Sequence, residues 1–91
     1  MDRKPNPHVV HDRESFLDFV RDLVADRIAA AQAERENPDQ RYETFRGWQN
    51  SDIETYLECA VAWAEVHDFF AHPEPSWRAF AEFLFAGKIY E

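Results

Sequence analysis

The sequence predicts an all-α fold: a small three-helix domain with a long aromatic-bearing loop between helices one and two. Two observations carry this reading. Three separate segments repeat apolar residues at three- and four-residue spacing, the period of a helix with one buried face. Each segment is bounded by residues that cap or stop helices, and nothing between them reads as a convincing strand.

Helix one is expected to begin after Asp12, whose carboxylate can accept from the free N–H groups of a first turn. Phe16, Phe19, Val20, Leu23 and Val24 form its apolar face, flanked by Leu17, with Asp18, Asp22, Ala25 and Asp26 opposite. Arg27 falls within that face, so the packed portion is expected to end near Ala25. Ile28 to Arg35 still favours helix by propensity and is expected as a polar extension, stopped by Asn37-Pro38.

Residues 37–50 form the long connection. Pro38, Gly47 and Asn50 mark turns, and Tyr42, Phe45 and Trp48 follow one another at three-residue spacing. Three rings in one loop predict that it folds over the helices. Helix two opens with Ser51-Asp52-Ile53-Glu54, a capping-box pattern with serine at the cap. Ile53, Tyr56, Leu57, Ala60, Trp63, Ala64 and His67 make its expected apolar face, and Pro73 and Pro75 close it. Helix three is capped by Ser76 and carries the stripe Trp77, Phe80, Ala81 and Leu84. Gly87 suits the left-handed position after a helix end, and Lys88 is placed to complement the C-terminal dipole.

Residues 1–8, with prolines and charges, are expected to be a flexible N-terminal arm, and 9–91 a single α-helical domain. The aromatic last helix, glycine stop and apolar tail predict a C-terminus folded into the core, with the domain ending at or near Glu91. Ninety-one residues suit one domain, and 15% aromatic content supplies enough apolar area for a core without staples. One cysteine, Cys59, excludes an intrachain disulfide and fits a reducing compartment. With no secretory signal and no membrane-length apolar stretch, a cytoplasmic protein is expected.

The net charge of −8 is uneven. Residues 1–46 hold eight Arg/Lys against ten Asp/Glu, whereas 47–91 hold two against eight. An acidic surface repels phosphate, which disfavours nucleic acid, and steers a basic partner. Phosphate loops, nucleophile elbows and basic patches are absent, so no enzyme activity and no cofactor are expected. The histidines, His8 with His11 and His67 with His72, match no ligand spacing, so no metal is expected. Cys59, mid-helix among acids, reads as filler rather than nucleophile.

Glu54, Glu58 and Glu65 share one stripe of helix two, about 130° from its apolar face. A solvated face is their plain reading, and a docking surface for a basic protein the useful one. Trp48, Trp63, Trp77, Phe83 and Phe85 read first as core. Phe83 lies off the stripe of helix three, and if uncovered becomes an interface candidate. Tyr42 and Trp48 could anchor a partner from the loop.

Gly47-Trp48-Gln49-Asn50, then Ile53, Tyr56-Leu57-Glu58 and Trp63, lead to a closing run of Trp77, Phe80-Ala81, Leu84 and Ala86-Gly87-Lys88-Ile89-Tyr90-Glu91. This combination resembles a family of short bacterial proteins described as a domain of unknown function. The resemblance implies a small stand-alone α domain and brings no activity or catalytic residue with it. In size and charge the chain also looks like the acidic immunity-type inhibitors found beside bacterial toxins. The expectation is a non-enzymatic interaction protein, concretely an inhibitor of a basic toxin, binding through Glu54, Glu58 and Glu65 with Tyr42, Trp48 and Phe83. The alternatives are a homodimeric assembly protein joined through Phe83 or Phe85, and a small metal protein or enzyme built on His67, Asp68 and His72.

Overall fold

A computed structural model of the chain describes residues 4–38, 46–66 and 76–90. Among these, three α-helices follow a 3-10 turn at Pro7–Val9: α1 (Arg13–Glu36), α2 (Ile53–Val66) and α3 (Trp77–Ile89). The all-α, three-helix reading holds. Of the expected aromatic loop between α1 and α2, Tyr42 and Phe45 lie outside the described residues.

Local chemistry sets most helix ends. At the start of α1, Asp12 accepts from the Ser15 backbone N–H at 2.8 Å, and the Ser15 hydroxyl accepts in return from the Asp12 N–H at 3.0 Å. Two of the donors a helix start leaves free are thereby satisfied. Asn37 ends α1: its N–H donates to the Glu34 carbonyl and its side-chain amide to that of Ala33. Ser76 caps α3 by accepting from the Ala79 N–H at 3.0 Å.

Helix two starts one residue later than the capping pattern suggested. Asp52, not Ser51, is the cap, accepting from the Thr55 N–H at 2.8 Å. Its carboxyl titrates below the ordinary value, first because of the hydrogen bonds from Thr55. A carboxylate is a stronger acceptor than a hydroxyl, and beside the helix N-terminus it also gains from the dipole.

Helix three is the common support. It packs against α1, α2 and the 3-10 turn. Phe16 meets Trp77 near the starts of α1 and α3, while Asp26 meets Lys88 further along both, so these two helices run parallel. Tyr56, early in α2, donates its hydroxyl to the Leu84 carbonyl late in α3, so α2 runs antiparallel to α3. The core is built from Val10, Phe19, Leu23, Ala30, Trp48 and Ala81, with Phe16, Val20, Tyr56, Leu84 and Phe85 packed against it.

Several expectations need correction. The buried row of α1 is Phe19, Leu23, Asp26 and Ala30, so packing continues past Ala25 and Ile28 to Glu36 is regular helix. Asp26, placed opposite the apolar face, is instead 3% exposed. Val24 faces outward, as do Ile53 and Leu57 on α2, whose buried residues are the small Ala60 and Ala64. Gly87 lies inside α3 rather than after it, whereas Lys88 stands in the last turn as expected and is, in addition, buried. Residues 4–8 are laid down rather than free: Pro5 and Pro7 are buried, and the Arg78 guanidinium donates to the His8 carbonyl at 2.8 Å.

Two glycines have identifiable reasons. Gly47 has φ +78° and follows Arg46 at φ +57°, so the chain makes two successive left-handed steps as it enters the core. For Arg46 such a step costs roughly 1–2 kcal/mol, and the ion pair described below offsets it. At Gly87 the reason is proximity. A Cβ there would stand 2.9 Å from the Tyr56 carbonyl oxygen and 3.0 Å from the Tyr56 ring. The α2–α3 crossing is therefore closer than any side chain permits.

Candidate functional site

Asp26 is the electrostatic centre of the domain. One carboxylate oxygen accepts from the Lys88 ammonium at 2.7 Å and from the Trp48 indole N–H at 2.9 Å. The other accepts from the Arg46 guanidinium at 2.5 Å. Burial pushes against the charged form of Asp26. The hydrogen bonds from Lys88, Arg46 and Trp48 outweigh it, and the carboxyl is held below its ordinary pKa. A carboxylate fixed by three donors has no proton to exchange near neutral pH, which suits an anchor and not a general acid.

That anchor fixes Trp48. Its ring stacks on Tyr56 with centroids 6.0 Å apart, while the Lys88 ammonium and the Arg27 guanidinium lie 5.4 and 5.2 Å from its centre. One terminal nitrogen of Arg27 also donates to both carboxylate oxygens of Glu34, at 2.9 and 3.0 Å. Its remaining terminal nitrogen is buried without an acceptor among the described residues, and contact with the Trp48 face compensates in part. Lys88 and Asn50 tie the same region to the end of the chain. The Gln49 N–H donates to the Lys88 carbonyl, and the Asn50 side chain donates to the carbonyls of Gly87 and Tyr90 at 2.9 and 2.7 Å.

Over this fixed floor lies an apolar groove of about 300 Å³ between α1 and the start of α2. It exists because both helices lean on α3. Val24 and Ile28 form one wall, Ile53 and Asp52 the other, and Trp48 and Tyr56 the floor. Three of these are unusually open for aliphatic side chains: Ile53 is 76% exposed, Ile28 60% and Val24 54%. Leu57 and Val61 follow Ile53 at four-residue spacing and are also exposed, so the apolar strip runs out of the groove along α2.

Glu54, Glu58 and Glu65 are all exposed on α2, on the flank of that strip away from the groove. Helix two carries no basic side chain among its fourteen residues. The other sequence candidates fare differently. Trp48 is 6% exposed and hydrogen-bonded to Asp26, so it offers a partner only the face that floors the groove. Phe83 and Phe85 are both half-buried, Phe85 packing against the core. Tyr42, His67, Asp68 and His72 lie outside the described residues. Among those described, no cluster of three or more potential metal ligands occurs, and no helix is long and apolar enough to cross a membrane.

The groove is not legible in the sequence, where Val24, Ile53 and Leu57 read as core. Their periodicity says that they share a face, not that something covers it. Arg27 in that face signals its edge and not its end: the buried row of Phe19, Leu23, Asp26 and Ala30 runs on beside it.

The chain belongs to the family described as Family of unknown function (DUF7660), whose model matches residues 12–91. No curated protein and no solved structure matches it.

Proposed function

We propose that this member of a family of unknown function is a non-enzymatic binding module for a basic protein. Its concrete form would be an immunity-type inhibitor of a basic bacterial toxin, acting in the cytoplasm. The observation that carries the reading is on α2. Three exposed glutamates run beside an exposed apolar strip, on a helix with no compensating cation. Acidic charge of this kind acts mainly on encounter rate and on the choice of partner, and the apolar strip supplies area for a lasting contact. A surface kept only for solubility would not need Ile53, Leu57 and Val61 uncovered beside it.

The test starts with a tagged pull-down from the source cell's lysate, washed at low and then high salt, to obtain the partner. Association is then followed with Glu54, Glu58 and Glu65 replaced by Gln. The on-rate should fall by about tenfold at low salt and lose most of its salt dependence. An unchanged on-rate rejects this face.

A further inference from the structure

We infer that the groove between α1 and the start of α2 receives the apolar face of a basic amphipathic helix. This rests on the binding role proposed above and says how the partner would be held.

The walls and floor differ in kind. Scattered exposed aliphatics are ordinary on a protein surface, but Val24, Ile28 and Ile53 converge on one cavity. The floor is already rigid, since Trp48 is held by Asp26 and Tyr56 by the Leu84 carbonyl. A preformed floor spares an incoming chain much of the cost of ordering the site. At about 300 Å³ the groove is at the lower limit for a small-molecule site. It suits anchoring side chains of a helix, in the manner of an amphipathic helix laid in a hydrophobic groove.

Charge selects which helix. Going round α2 at about 100° per residue, the groove side comes first, then Ile53, Leu57 and Val61, then Glu54, Glu65 and Glu58. Asp52 adds a carboxylate at the groove rim. Arg27 on the wall is neutralised by Glu34, so it does not oppose a cationic visitor. A helix resting on the apolar strip would place one flank over the glutamates. Lys or Arg on that flank is attracted, and Glu or Asp is repelled.

Three synthetic helical peptides of equal length test this on the full chain. One pairs a Leu face with Lys flanks, one replaces each Leu with Ser, and one replaces each Lys with Glu. Binding is read by anisotropy of labelled peptide and by backbone amide shifts. The Leu/Lys peptide should bind at least about tenfold more tightly than either control. Its shifts should centre on Val24, Ile28, Ile53 and Tyr56. Ile28→Ser with Ile53→Ser should weaken it by a similar factor without lowering the melting temperature, because both side chains are mostly exposed.

Equal binding of the Leu/Lys and Ser/Lys peptides, sensitive to Glu54→Gln and Glu58→Gln, overturns the groove but leaves the acidic face standing. Binding by neither basic peptide overturns the groove inference, and an unchanged on-rate in the glutamate series would remove the acidic face as well. Sedimentation showing a dimer dispersed by the Ile28→Ser, Ile53→Ser variant overturns the inference in favour of a second copy of this chain.

Discussion

Lys88 and Asp26 lie 62 positions apart in the chain and 2.7 Å apart in the fold, and both are buried. Their pair joins α1 to α3, and through Trp48 and Arg46 it also fixes the segment that leads into α2. Much of what positions the groove therefore depends on a single carboxylate.

Truncating that carboxylate strands a buried ammonium. Asp26→Ala should cost about 3–5 kcal/mol, read from urea denaturation. Lys88→Met should cost less, because Asp26 keeps Arg46 and Trp48 as donors. The double variant Asp26→Ala, Lys88→Met should recover part of the loss, since it leaves no uncompensated charge from this pair. A double variant as unstable as the sum of its singles would show that the pair is not coupled.

Acid should weaken the wild type more than an Asp26→Asn variant. The folded pKa of Asp26 is depressed, so near pH 4 the folded state binds fewer protons than the unfolded one. Its contribution is complete above the unfolded value of about 3.9 and is lost as pH falls through the folded value. Urea midpoints between about pH 2 and 6 should fall steeply for the wild type and less steeply for Asp26→Asn. Parallel slopes would count against the ion cluster.

The Tyr56 phenol should resist ionisation. Burial pushes its pKa up to about 12, and its hydroxyl donates to the Leu84 carbonyl at 2.6 Å, a bond open only to the neutral form. A raised folded value gives stability that is full below about pH 10 and is lost as pH rises through the folded value. Ultraviolet titration should show a late tyrosinate step that Tyr56→Phe removes. The same variant should lose about 0.5–1.5 kcal/mol at neutral pH.

Gly87→Ala tests the helix crossing. In an open helix this change stabilises by up to about 1 kcal/mol. Here the new Cβ would stand 2.9 Å from the Tyr56 carbonyl oxygen, which is backbone and cannot swing away. The clash should win, giving a net loss of about 1–3 kcal/mol by thermal or urea unfolding. A more stable variant would mean that α2 and α3 are not in close contact there.

Local rules made the helices legible. Asp12, Ser76 and Asn37 act within three or four residues of themselves, so the sequence alone located those ends. The outward placement of Glu54, Glu58 and Glu65 follows from helical period and the cost of burying charge. Composition and period likewise determined the all-α class. Only the tertiary structure decided the rest. Asp26 and Lys88 look like surface charges until each meets the other, because hydropathy scores a side chain without its partner. Trp48 reads as core from its sequence, but the buried acceptor that its indole N–H finds 22 positions away does not. Gly87 looks like a helix stop until Tyr56 is seen against it. Ile53, Leu57 and Val24 keep the period of a buried face, yet nothing in their own spacing says whether a neighbour lies there. The physical reason is common to all four cases: caps and periods are settled within one turn, while burial is settled by distant residues that fill the space.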